Sequence, residues 1–250
     1  MEDLNQRQIE ILKVIIKEHS ETGQPVGSEI LEKKYKLGVS PATIRNEMVE
    51  LAKKGYLKKT YFSSGRVPSA KGFRFYIQKI MKEKELTTSD EVSYKNSIWD
   101  ERNQVHRLLS QATKILSQKT GLLSIATTNT GYLFYSGAAN LFKSQEFFDL
   151  DLSRNLFERL EELPFWARVL DKFGRLDGEI LFMLGEEDFS DPAFEECASV
   201  FGEFEGKKTQ GMIGVVGPKC MHYDFVVPQI KYFSTLISEI IENAETQVNK

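Results

Sequence analysis

One stretch constrains this chain more than any other, Leu37 to Arg74, which reads L-G-V-S-P-A-T-I-R-N-E-M-V-E-L-A-K-K-G-Y-L-K-K-T-Y-F-S-S-G-R-V-P-S-A-K-G-F-R. Ser40 has the side chain of an N-cap, and Pro41 stands at the first helical position, where a missing N–H costs nothing. Ile44, Met48 and Leu51 then recur at helical spacing as one apolar stripe. Thr43, Asn46, Val49 and Glu50 share the opposite side, with Arg45 on the flank. Lys53 and Lys54 suit the negative end of the helix dipole, and Gly55 suits the residue after the cap. Tyr56 to Tyr61 has strand composition, Ser63-Ser64-Gly65 reads as a turn, and Arg66-Val67-Pro68 starts a short return. A short polar-tipped helix followed by a basic hairpin has the shape of a recognition helix with its wing.

Charge reinforces that reading. The 250 residues sum to −3, yet Lys33 to Lys82 holds 13 Lys/Arg against 2 Asp/Glu, a local +11 that leaves −14 for the rest. So dense a basic block attracts phosphate, the main source of sequence-independent DNA affinity. Taken alone it is a solvated basic face; its coincidence with the helix–hairpin pattern points to double-stranded DNA as partner. At 41% hydrophobic and 28% charged, the chain has the composition of a globular protein, and no apolar run is long enough for a membrane span. Acidic Glu2 and Asp3 do not fit a signal peptide, and two cysteines, Cys197 and Cys220, make no disulfide framework. The expectation is a cytoplasmic protein without membrane association.

Leu4 to His19 reads as a first helix, and Ser28 as the cap of a second that runs to about Tyr35 with Ile30 and Leu31 inward. With the helix after Ser40 this makes a winged helix-turn-helix, whose last helix enters the major groove. The candidate DNA contacts are therefore Ser40, Thr43, Arg45 and Asn46 on the helix, with Lys58, Lys59, Ser63, Ser64 and Arg66 on the hairpin. Arginine bonds guanine bidentately and asparagine bonds adenine so, whereas hairpin lysines and serines contact phosphate. The competing readings are an ion pair of Arg45 with Glu47, Glu50 or another neighbour, a merely solvated Asn46, and a Ser40 that only caps.

Gly72 to Ile80 continues as a helix, and polar residues 83–96 read as a linker. The expected domains are thus 1–82 and 97–250. The second opens with one helix from Ser97 to Lys119. Strands follow over Leu122–Thr128 and Tyr132–Ser136, then a helical stretch from Leu152 to Phe173 that Pro164 interrupts. A strand over Glu179–Leu184 and a hairpin of Ala198–Phe204 with Gln210–Val216 come next. A helix from Tyr223 to Val248, bent near Pro228, closes the chain. The fold class is α+β with a mostly antiparallel sheet.

Specific motifs resemble the heat-inducible transcription repressors of the HrcA family. They are G-V-S-P-A-T-I-R-N-E at Gly38–Glu47, S-S-G-R-V-P at Ser63–Pro68 and K-G-F-R-F-Y at Lys71–Tyr76. R-Q-I-E-I-L at Arg7–Leu12 and T-G-Q-P-V-G-S at Thr22–Ser28 also fit. In the second half, S-G-A-A-N-L-F-K-S-Q-E-F at Ser136–Phe147, L-G-E-E-D at Leu184–Asp188 and G-M-I-G-V-V-G-P-K-C-M-H-Y at Gly211–Tyr223 resemble the family's later motifs. The resemblance implies a GAF-like C-terminal regulatory and dimerisation domain, abbreviated here because family members are longer and carry an inserted dimerising subdomain. It also implies repression of heat-shock chaperone genes at an inverted-repeat operator of the CIRCE type, a homodimer, and assistance from a chaperonin. An inverted repeat itself calls for a two-fold dimer.

Catalytic constellations are missing from the sequence. His19, His106 and His222 are scattered, and Cys220 with His222 is a lone pair without the second pair a zinc site needs. Glu186-Glu187-Asp188 reads as a solvated acidic turn. The glycines at 211, 214 and 217 lack dinucleotide-binding spacing and suit close packing or a bulge in a strand. No enzyme, cofactor or metal is expected. The alternatives are a regulator sensing a small molecule through the C-terminal domain, and an enzyme or metal-binding protein built on that domain.

Overall fold

Helix α1 (Gln6–Thr22) begins at a reciprocal cap. The Asn5 side chain accepts from the Gln8 N–H at 2.9 Å, and the Gln8 side chain accepts from the Asn5 N–H at 3.3 Å. The computed structural model describes residues 4–59, 65–102, 104–171 and 180–247, without the side chains of Glu186, Glu187 and Gln247. It divides into two units, Met1–Lys82 and Glu83–Lys250.

In the first unit, α1 buries Ile11, Leu12, Val14, Ile15 and Ile16 against α2 (Ser28–Tyr35) and α3 (Pro41–Lys53). Glu18 is buried and holds α2 in place, accepting from Lys34 Nζ at 2.7 Å and Tyr35 Oη at 2.9 Å. The α2 cap is Gly27 rather than Ser28. Ser28 is already helical, and no side chain bonds the first N–H groups. Ile30 is exposed, and only Leu31 turns inward, because an eight-residue helix packed on one side buries a narrow stripe. Ser40 does cap α3, accepting from the Thr43 N–H at 3.2 Å, and Ile44, Met48 and Leu51 are buried. Gly55, at φ +81°, lets the chain turn out of α3 into β1 (Leu57–Lys59). Antiparallel β2 (Arg66–Pro68) pairs with β1, and Val26 bridges to Arg66 with both N–H···O distances 2.9 Å. Helix α4 (Ala70–Phe75), capped by Ser69, buries Phe73 and runs into a π-helical turn.

The second unit starts earlier than the composition suggests. Residues 83–96, expected as linker, lead into α5 (Thr88–Trp99). Thr87 caps this helix, accepting from the Asp90 N–H at 3.1 Å, and Asp90 and Glu91 favour its first turn. Tyr94 and Ile98 are buried, and Tyr94 donates to Gln229 at 2.6 Å. The expected single helix from Ser97 to Lys119 is two, α5 and α6 (Val105–Thr120). The polar residues 100–102 have nothing to bury, and the chain turns there.

Five strands form an antiparallel sheet: β3 (Leu123–Thr128), β4 (Leu133–Ser136), β5 (Ile180–Leu184), β6 (Cys197–Glu205) and β7 (Gln210–Pro218). Their order is β4-β3-β7-β6-β5. The register on β7 is unbroken on both sides, so Gly211, Gly214 and Gly217 serve close packing and not a bulge. A Cβ at Gly214 would strike the Val200 carbonyl and the Phe201 ring. One sheet face sends Leu123, Ile125, Met183, Phe201, Met212 and Val216 into a core with α7 (Leu150–Leu160) and α8 (Leu163–Leu170), the latter started by Pro164. The short α9 (Gly185–Phe189) adds Phe189 to that core. The other face is covered by α6 and by α10 (Tyr223–Gln247).

Pro228 lies inside α10 without ending it. A proline there leaves the carbonyl of Asp224 without its helical donor. The Lys84 N–H supplies one at 2.9 Å, and Lys84 Nζ pairs with the Asp224 carboxylate at 2.9 Å. Glu83 meets Lys231 at 2.7 Å. The residues expected to be a loose tether are fastened along a helix.

Candidate functional site

Burial sorts the residues of α3. Ile44 and Met48 face the core, while Ala42, Arg45, Asn46 and Glu50 are exposed and Thr43 is half-buried. Glu47 is taken by Gln8 Nε2 at 3.0 Å and Arg7 at 3.6 Å, and Glu50 by Lys53 at 2.7 Å. Among the described residues neither acid pairs with Arg45, so its guanidinium stands toward solvent. Ser40 is occupied differently. Its hydroxyl caps α3 and lies 3.0 Å from that of Thr43, which ties both to the helix start.

On the hairpin, Lys58 and Lys59 are exposed and Arg66 is half-buried, its Nη1 donating to the Gly65 carbonyl at 3.1 Å. The Val26–Arg66 bridge draws the hairpin against the start of α2. The result is an open cleft of about 560 Å³ lined by Ser28, Glu29, Ile30, Arg45, Met48, Val49, Lys59 and Arg66 together with Gly27. Three of the sequence-derived candidates, Arg45, Lys59 and Arg66, therefore converge on one concave surface. Ser40, Thr43, Asn46 and Lys58 do not line it, and Ser63 and Ser64 lie outside the described residues. The uncapped N-terminus of α2 adds its partial positive charge to that wall. Sequence reasoning passed over Ser28, Glu29, Ile30 and Val49 as members of this surface. The available signal was Val26, a β-branched residue between Pro25 and Gly27 that makes an isolated bridge to β2.

Elsewhere the chemistry is quiet. Burial pushes the Cys220 thiol up to about 11 and that of Cys197 higher still, so neither is a thiolate at neutral pH. His19 is buried with Nδ1 2.9 Å from the Gln24 carbonyl, and His106 lies against the Tyr132 ring at 3.9 Å. Among the described residues no three His, Cys, Asp or Glu side chains gather as a metal site. Nor is any helix there long and apolar enough to cross a membrane.

A basic helix-and-hairpin unit is followed in the chain by an antiparallel α+β unit, and the sequence matches are to repressors of transcription. Residues 71–227 match the model of the HrcA protein C terminal domain. The heat-inducible transcription repressor HrcA of Clostridium botulinum (strain Eklund 17B / Type B) is 42% identical, with 98% of each chain covered. That of Acetivibrio thermocellus is 24% identical over 96% of this chain and 97% of its own. The chain belongs to the HrcA family.

The alignment to the Clostridium botulinum protein runs to 349 positions against 250 residues here, so roughly a hundred positions of that relative have no counterpart. A match to the Clostridioides difficile repressor, 39% identical, spans only 51% of this chain and 38% of that protein. A solved structure of a hypothetical protein superposes with a TM-score of 0.77 at 19% identity, covering 97% of this chain and 100% of that one. It shows the fold.

Proposed function

We propose that this chain is a transcriptional repressor of heat-shock chaperone genes, binding double-stranded DNA through residues 1–82 as a winged helix-turn-helix. The observation that carries the reading is the convergence of Arg45, Lys59 and Arg66 on one cleft in a family member whose relatives are named heat-inducible repressors. In this reading α3 enters the major groove. Arg45, exposed and without an ion pair to Glu47 or Glu50, and the exposed Asn46 read base edges, with guanine and adenine as their natural partners. Lys58, Lys59 and Arg66, with Ser63 and Ser64 of the hairpin, hold phosphates and fix the register. Ser40 and Thr43 set the start of α3 and so aim Arg45. The GAF-like second unit carries regulation and assembly, without catalysis, in the cytoplasm. A homodimer occupies an inverted repeat of the CIRCE type, each copy reading one half-site. A chaperonin is the partner that the resemblance implies for keeping the repressor active.

The test is fluorescence anisotropy with an inverted-repeat duplex and a scrambled one, at two salt concentrations. Wild type is expected to prefer the repeat. The Arg45→Ala protein is expected to lose about 1–3 kcal/mol of that preference while keeping its salt-dependent binding. Equal affinity of wild type for both duplexes would overturn the sequence-specific reading.

A further inference from the structure

Part of the wall of the basic cleft is apolar. Among the described residues of the first unit, Ile30 is the one large hydrophobic side chain that stands exposed, at 42%. Scattered singly on a surface, such a residue would need no explanation. Ile30 instead lines the cleft together with Val49, half-buried on α3, and the edge of the buried Met48. Glu29 lies on the same wall, where its carboxylate offsets the partial positive charge at the start of α2. That part of the cleft therefore does not draw a phosphate as Lys59 and Arg66 do. What suits Ile30 and Val49 is a methyl group, and in the major groove the bases present one, at C5 of thymine.

Spacing ties this apolar pair to Arg45. Arg45 and Val49 stand four residues apart on α3, so their side chains are neighbours on one face of the helix. Four residues of helix advance about 6 Å, and successive bases of a strand lie about 3.4 Å apart. With α3 in the groove, Val49 meets a base within about two steps of the guanine bound by Arg45. Ile30 reaches the same cleft from α2, so one methyl is held from two helices.

We infer that Ile30 and Val49 form a methyl-reading pocket, which in each half-site encloses the C5-methyl of a thymine next to the guanine bound by Arg45. The inference rests on the DNA-binding reading above and deepens it, adding a thymine to the bases that Arg45 and Asn46 read. The contact is apolar burial alone. It separates thymine from cytosine, and equally from deoxyuridine, which differs from thymine only in lacking the methyl.

Exchange of thymine for deoxyuridine therefore tests the pocket, since it leaves every hydrogen-bonding edge in place. Each thymine of the inverted-repeat duplex is exchanged in turn, symmetrically in both half-sites, and affinity is read by fluorescence anisotropy. At one position or two adjacent ones, wild type is expected to lose roughly fourfold per half-site, the worth of one buried methyl. The same exchange in a scrambled duplex is expected to change nothing. The double variant Ile30→Ala/Val49→Thr is expected to show less than about a twofold difference between the two duplexes, with thermal melts verifying that it is folded. Ile30→Val, which keeps a branched apolar end, is expected to retain most of the wild-type difference. A wild-type preference for the repeat that no exchange weakens would overturn the inference and leave the operator reading standing. So would a deoxyuridine penalty that persists in the folded double variant. Equal wild-type affinity for the repeat and the scrambled duplex would overturn both.

Discussion

At the scale of single residues, function and stability sit on different side chains of the same small unit. Arg45 is exposed and spends nothing on packing, so Arg45→Ala is expected to change operator preference with an unchanged melting temperature. Lys58 and Lys59 are exposed on a short strand, and each reads only phosphate in the proposed complex. Lys58→Ala or Lys59→Ala is therefore expected to weaken binding to every duplex alike and to lower the slope of log affinity against log salt by about 1. Glu18 does the opposite kind of work. Burial raises its carboxyl pKa, but hydrogen bonds from Lys34 and Tyr35, with the Lys34 charge, outweigh this and hold it below the ordinary 4.5. A lowered folded pKa means stability that is present above the unfolded value and lost as pH falls through the folded one. Glu18→Gln is expected to cost about 1–2 kcal/mol at neutral pH, a few degrees of melting temperature. It should also flatten the loss of stability seen in thermal melts below about pH 5. An unchanged acid slope would reassign that loss to other carboxylates.

Elements show where pattern reading succeeds and where it misses. The helix after Ser40 is legible because cap, proline, apolar stripe and terminal glycine all agree. Residues 83–96 misled because polar composition was weighed above Thr87 and Asp90, which have the spacing of a helix start. Only packing shows why that start matters: Tyr94, too polar in its surroundings to mark a core, inserts beside Phe233 at 5.0 Å and donates to Gln229 across 135 positions of sequence. Tyr94→Phe is expected to leave the buried Gln229 without that donor and lower stability by about 1–3 kcal/mol, read by denaturant unfolding. Pro228 is a similar case. The sequence signals a bend, yet α10 runs on because the backbone of Lys84, far away in the chain, satisfies the carbonyl that the proline abandons.

For the whole molecule, the relevant quantity is the separation of charge, +11 within Lys33–Lys82 against −14 in the remainder. Counted by unit, residues 1–82 carry +7 and residues 83–250 carry −10, so in the proposed complex the phosphate backbone is attracted to the first unit and not to the second. Net charge near zero overall would hide this. Periodicity, caps and charge, which are local quantities, determined from sequence alone the three helices and hairpin of the first unit, the strands of the second and the identity of Arg45 as an exposed candidate. What only the tertiary structure decided depends on distant partners. That set includes the pairing of Val26 with Arg66 that makes the cleft, the capture of residues 83–99 by α10, and the strand order that leaves β4 at an open edge. A strand's own residues give it a face and a length; whether it is an edge depends on which other strands reach it, and those lie up to a hundred residues away.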